Sequence, residues 1–178
     1  MLGIKSFFGI LILIASIFID TGLPKNIEKK VIKELGKTFQ SNEFELQQLS
    51  ISDAQQINLP KSVEAKGFHL IHAKELLLGY VYVDKARSKT AEFDYMVVFN
   101  SDLEVVQAKV LIYREEYGGE IGSKRWLKQF IGKTGTDRVK LENNIDGIAG
   151  ATISVRSMTA SMDNLLQAIG ILQKNQVL

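Results

Sequence analysis

The feature that most constrains the fold is a block of three runs rich in β-branched and aromatic residues. They comprise Leu77 with Tyr80 to Val83, then Phe93 to Phe99, then Val105 to Tyr113, and such residues favour extended backbone. The stretches between them, Asp84 to Thr90 and Asn100-Ser101-Asp102, are short, polar and turn-forming. Parallel neighbours need a crossover of roughly a dozen or more residues, so this spacing predicts consecutive antiparallel strands.

Helical signals flank the block. Val155, Met158, Met162, Leu165, Ile169 and Leu172 alternate three and four apart, which predicts a carboxy-terminal helix with that face in the core. Ser123 is a candidate cap for a short helix that carries Trp126, Leu127 and Phe130 inward, with Gly132 just past its end. Near the other terminus, Ile27, Val31 and Leu35 recur every four residues after Pro24 and Asn26, and Gly36 reads as the stop of an amphipathic helix. Residues 40 to 66 are polar and irregular, and are expected to be loop with at most one strand. The fold class is therefore α+β, a mostly antiparallel β-sheet packed against a C-terminal helix. At 178 residues with 46% hydrophobic and 24% charged residues, the chain suits one folded domain.

Ahead of this domain, Phe7 to Ile19 reads FFGILILIASIFI, thirteen apolar or small residues without a charge between Lys5 and Asp20. That is the layout of an export signal or membrane anchor over residues 1–20, and it is short of the roughly 20 residues that cross a bilayer as a helix. The folded part is then expected on the extracytoplasmic, periplasmic side of the cytoplasmic membrane, anchored or secreted. Lys and Arg number 22 against 20 Asp and Glu, a net charge of +2, too balanced for the basic field of a nucleic-acid binder. Cysteine is absent, which excludes disulfide scaffolds, thiolate metal sites and cysteine nucleophiles. His69 and His72 stand three apart, a spacing that would share a helical face, but no third ligand is spaced nearby, and no metal site is expected. With two histidines and no nucleophile signature beside either, no Ser-His-Asp set can be assembled.

The chemistry concentrates just before the last helix. Asp146-Gly147-Ile148-Ala149-Gly150-Ala151-Thr152 joins two glycines, an acid and a hydroxyl to a helix start. Glycines allow a close approach of backbone to ligand, and the first free N–H groups of a helix favour an anion such as phosphate. The same residues also read as an ordinary Asp-Gly turn with Thr152 or Ser154 as N-cap, and spacing does not choose between the two. Arg156, on the first turn, is a further candidate for a phosphate.

The segment DGIAGATIS resembles the flavinylation motif of the FMN-binding domain family: Asp, Gly or Ala, any residue, Ser or Thr, Gly, Ala, then the acceptor Thr. Six of those seven positions match, and Ala149 stands where the family has Ser or Thr. A second stretch, Tyr113-Arg114-Glu115-Glu116-Tyr117-Gly118-Gly119-Glu120-Ile121 followed by Trp126, Gln129, Phe130 and Gly132, is similar to the family's strand-end acid, glycine turn and short helix ending in Gln-Phe. In the larger members the acid is followed by Thr-Pro-Gly, whereas here Glu116 is followed by Tyr117-Gly118-Gly119.

The resemblance implies FMN joined through its phosphate to the hydroxyl of Thr152, installed outside the cytoplasm by a separate magnesium-dependent flavin transferase. The family includes the FMN-carrying subunits of sodium-pumping NADH:quinone reductase and related ion-pumping complexes, together with small exported proteins having this domain alone. It implies a domain over 76–178, with 21–75 adding an amino-terminal helix and an uncertain region. The expected cofactor-binding residues are Thr152, Asp146, Gly147, Gly150, Ala151, Ser154, Glu116 and Trp126. The expected partners are the transferase and a membrane electron donor or acceptor complex.

FMN needs an anion cradle at one end and an apolar platform at the other. Gly147, Gly150 and the helix start are candidates for the first; Trp126, Tyr117, Leu127 and Phe130 are candidates for the second, although each reads first as an ordinary core residue. Three functions follow as expectations: an electron-transfer carrier, a flavin-dependent reductase with its own substrate, or a non-catalytic envelope interaction module in which the motif is a turn and cap.

Overall fold

The computed structural model of the chain describes residues 21–41 and 43–178. The apolar segment expected over 1–20 lies outside them, and among the described residues no helix is long and apolar enough to cross a membrane.

Five strands form one antiparallel sheet in sequence order: β1 (Glu45–Gln48), β2 (Phe68–Ala73), β3 (Leu76–Arg87), β4 (Glu92–Asn100) and β5 (Val105–Ile112). The meander expected from the spacing is present, with two strands added at its front. Register pairs Leu46 with Ile71, Leu70 with Tyr80 and Tyr82 with Val97. Strand β3 continues through Asp84 to Arg87, so the turn expected over Asp84 to Thr90 contracts to Ser88–Ala91, closed by Ser88 N–H donating to Ala91 O at 2.8 Å. Residues 40 to 66, expected as loop with at most one strand, hold one strand, β1, and also a single-turn helix α2 (Asp53–Gln56), with β2 following directly after them.

Period-two alternation gives the sheet two apolar faces. Tyr80 and Tyr82 of β3 and Phe93, Tyr95, Val97 and Phe99 of β4 belong to one core, while Val81, Val83, Met96 and Val98 belong to the other. On the first face lies the long helix α4 (Thr152–Lys174), which buries all six residues of its predicted stripe. On the second lies α1 (Lys25–Phe39), seated by Ile27, Val31 and Leu35. Each of these aliphatic side chains contributes about 1.5–3 kcal/mol on leaving water. The sheet is therefore covered on both sides, not by the carboxy-terminal helix alone, which explains why β4 is apolar without a break from Tyr95 to Phe99. Helix α1 passes Gly36 and ends where Gln40 adopts the left-handed conformation, φ 51° and ψ 33°. An interior glycine costs only about 1 kcal/mol, which the buried stripe ahead of it, with Phe39 packed on the same core beyond it, outweighs.

His69 and His72 lie on β2, where residues three apart point to opposite faces. The His69 ring is fully buried, with Nδ1 and Nε2 at 3.1 and 2.8 Å from the carbonyl oxygens of Gly67 and Thr21. It ties the start of the described chain to the sheet. Among the described residues no cluster of His, Cys, Asp and Glu is arranged to hold a metal ion.

Between β5 and α4 the chain forms α3 (Lys124–Leu127), continues in a short 3-10 turn to Phe130, and crosses back along α4. Ser123 caps α3, accepting from Trp126 N–H at 3.4 Å, and Gly132 follows with φ 81°. The return connection is strapped to α4: Val139 N–H donates to Asp163 Oδ1 and Arg138 Nη2 donates to Asp163 Oδ2, each at 3.0 Å. Gly135 and Gly170 touch backbone to backbone, so that a Cβ on Gly135 would sit 2.6 Å from Gly170 N. These contacts fix where residues 146–152 enter α4.

Candidate functional site

An open cleft of about 720 Å3 lies at the amino-terminal end of α4. Three segments line it: Lys89 and Thr90 from the β3–β4 turn, Tyr113 to Tyr117 after β5, and Gly150 to Ser154 at the helix start. Each is held by specific bonds.

The helix begins at Thr152. Ala151 occupies the N-cap position, with φ −119° and ψ 21°, and no side chain caps the helix. The alternative of Thr152 or Ser154 as N-cap is thereby corrected. The physical reason is that Ser154 is buried and its Oγ pairs with the Tyr113 hydroxyl at 3.1 Å, while the Thr152 side chain is exposed on the cleft. Gly150 precedes them with φ 82°, a conformation that favours glycine, and a Cβ there would meet nothing within 4 Å. Cleft space thus begins directly at this backbone.

The second wall is the loop after β5. Tyr113 donates its hydroxyl hydrogen to Tyr117 O at 3.0 Å and packs against Phe93 with ring centroids 5.8 Å apart and planes tilted by 46°. Gly118 follows at φ 83°, and a Cβ on it would lie 2.7 Å from the Tyr113 hydroxyl and 3.5 Å from Ala151 Cβ. The glycine turn and the small residue ahead of Thr152 therefore pack on one another, which requires both to be small.

The third wall hangs on Glu115. One carboxylate oxygen accepts from Ser88 Oγ (2.7 Å), Thr90 N–H (2.6 Å), Thr90 Oγ1 (3.1 Å) and Ala91 N–H (3.1 Å). The Ser88 hydroxyl and the Thr90 amide, which bond only the charged form strongly, hold the Glu115 carboxyl down at about 2. Arg114 is committed elsewhere, paired with the buried Asp94 and donating to Glu92 O at 2.8 Å. Lys89 makes no ion pair among the described residues, so it is the cleft's uncommitted cation.

The eight residues singled out in the sequence fall into two groups. Thr152, Gly150, Ala151, Ser154 and Glu116 line the cleft. Asp146, Gly147 and Trp126 surround a neighbouring hollow of about 290 Å3. There Trp126 is a core residue, edge-on to Phe130 at 5.2 Å, whose Nε1–H donates to Asp146 O at 2.7 Å. Gln129 Oε1 accepts from Asp146 N–H at 2.9 Å. Trp126 and Gln129 together grip both backbone groups of Asp146 and position the loop that leads to Thr152. Arg156 does not line the cleft. Sequence reasoning missed Lys89 and Thr90; their polar turn was visible, but the carboxylate that gathers it lies 25 residues away.

The model of the FMN-binding domain family matches residues 90–167, from the first cleft turn through most of α4. Residues 90–167 belong to the FMN-binding domain family. No curated protein matches the chain at a significant level. The matched stretch begins at the β3–β4 turn, and β1, β2, β3 and α1 complete the sheet and its second cover. The residues fit the cofactor. The cleft lies within the roughly 300–1,000 Å3 of small-molecule sites, its floor is an uncapped helix start beside a glycine whose Cβ direction is open, and a free lysine is in the wall.

Proposed function

We propose that this chain is an extracytoplasmic electron-transfer flavoprotein carrying FMN covalently through a phosphoester on Thr152. The observation that carries the reading is the exposed Thr152 hydroxyl, at the first position of an uncapped helix inside a family-matched cleft. A hydroxyl used as a cap would be occupied; this one is open to a phosphate. The sequence match of six motif positions in seven supports the same atom.

The chain's own groups divide the work. The first N–H groups of α4, the backbone at Gly150 and the Lys89 ammonium would hold the phosphate, the dipole and the cation both favouring its negative charge. Ester formation joins the Thr152 oxygen to phosphorus with net loss of water and leaves one negative charge on the phosphate. Tethering holds the cofactor at high effective concentration, so an open cleft keeps it against dilution. When bound, FMN supplies a ring that accepts and releases one or two electrons. Openness of the cleft leaves that ring within reach of a partner, which we take to be a membrane electron donor or acceptor complex. The apolar run Phe7 to Ile19 supports export and membrane association of the domain, and a separate flavin transferase would make the bond.

The test is intact-mass analysis of the full chain produced beside a flavin transferase. The expected result is a gain equal to FMN less one water, mapped to the peptide holding Thr152 and retained after denaturation. Thr152→Val is expected to remain folded and unmodified; a Thr152→Val chain that kept the covalent flavin would refute the assignment.

A further inference from the structure

Of the four apolar side chains near the motif that suit a flat platform, three belong to the core: Trp126 is 4% exposed, Leu127 3% and Phe130 0%. Tyr117 is 80% exposed and lines the cleft. Its backbone is nevertheless fixed. The Tyr117 carbonyl accepts from the Tyr113 hydroxyl, and the next residue, Gly118, is wedged between that hydroxyl and Ala151. A large aromatic ring held out to solvent on a pinned backbone loses the water-excluding contacts that rings usually make, unless something covers it. A second exposed apolar side chain, Ile153, follows Thr152 directly and lines the same cleft from α4. The two are therefore apolar surface on two of the three segments that frame the acceptor hydroxyl.

We propose that Tyr117 and Ile153 form the platform for the isoalloxazine ring: the Tyr117 ring stacks on one part of it and the Ile153 side chain supplies aliphatic contact. The inference rests on the Thr152 reading. Trp126 is excluded from the role because its indole is buried and its only N–H is bonded to Asp146 O. The chain thereby uses Tyr117, directly after Glu116, as its own ring-binding residue.

The experiment compares the full chain with Tyr117→Ala, Tyr117→Phe and Ile153→Ser, all produced beside a flavin transferase. Intact mass reads whether FMN is attached, visible circular dichroism reads whether the ring is held in a chiral site, and iodide quenching of flavin emission reads its exposure. In the parent and Tyr117→Phe the flavin bands are expected to be dichroic and the ring shielded. In Tyr117→Ala the FMN mass is expected to be retained while the undocked fraction of rings rises roughly two- to tenfold, with Ile153→Ser changing in the same direction. At 80% exposure Tyr117 can be truncated without unfolding, and an unchanged Tm in the unloaded variant checks that. A loaded Tyr117→Ala chain with parental dichroism and iodide accessibility overturns the platform and leaves the Thr152 ester standing. A parent chain with no FMN mass overturns the ester, and the platform with it.

Discussion

Replacing Gly118 by Ala tests whether the glycine turn and the acceptor loop really pack on one another. Gly118 has φ 83°, and a Cβ there would stand 2.7 Å from the Tyr113 hydroxyl, closer than non-bonded atoms tolerate. Left-handed backbone costs a non-glycine residue about 1–2 kcal/mol. Tyr113 must also move, giving up its bonds to Tyr117 O and Ser154 Oγ, each worth about 0.5–1.5 kcal/mol. The loss of stability is therefore about 2–5 kcal/mol, or a fall in Tm of about 4–20 °C for a domain of this size. Two other glycines serve as controls. Gly150 is equally left-handed at φ 82° but would meet nothing within 4 Å, so Gly150→Ala should cost only the backbone share, about 1–2 kcal/mol. Gly147 is neither left-handed nor crowded, so Gly147→Ala should be close to neutral. Calorimetric melting of the three variants should rank Gly147, Gly150, Gly118 in increasing damage. A Gly118→Ala chain that melts with Gly147→Ala would refute the packing of the two loops.

Two further perturbations probe the groups that hold the cleft. Trp126→Phe removes the donor to Asp146 O and part of the core contact with Phe130; a loss of about 1–3 kcal/mol in urea unfolding is expected, together with faster amide exchange across residues 146–150. Glu115 has a folded value near 2, below its ordinary 4.5. A depressed carboxyl stabilises the fold above the unfolded value and loses that contribution as pH falls through the folded one. Glu115→Gln should therefore be less stable than the parent above about pH 4.5, with the two converging as pH falls towards 2, and the parent's Thr90 and Ala91 amide shifts should titrate near 2; a midpoint at 4.5 would show that Glu115 does not gather the turn.

What could be read from the chain depended on whether the deciding forces were local. The α4 stripe was legible because period and residue type agree over six positions, all of them buried. Strands β3 to β5 were legible from their density of β-branched and aromatic residues. By contrast β2 reads FHLIHA, with two histidines among six residues, and becomes a strand only because β1 and β3 pair with it on either side. Gly36 misled because a glycine ends a helix only where the backbone turns left-handed, and here Gln40 takes that conformation. The same division runs through the site. The contiguous stretch from Gly150 to Ser154 could be singled out because its glycine, hydroxyls and helix start are neighbours in sequence. Lys89 and Thr90 reach the cleft through a single Glu115 oxygen across 25 residues, a bond no local pattern encodes. Trp126 shows the converse error: an aromatic beside a cofactor motif invites a stacking role, yet its N–H is needed to hold the loop and its ring to fill the core. Tyr117 differs from it in burial, which sequence does not give. An aromatic residue near such a motif should accordingly be assigned to the cofactor only where its backbone is fixed and its ring left uncovered, and Tyr117 alone of the four candidates meets both conditions.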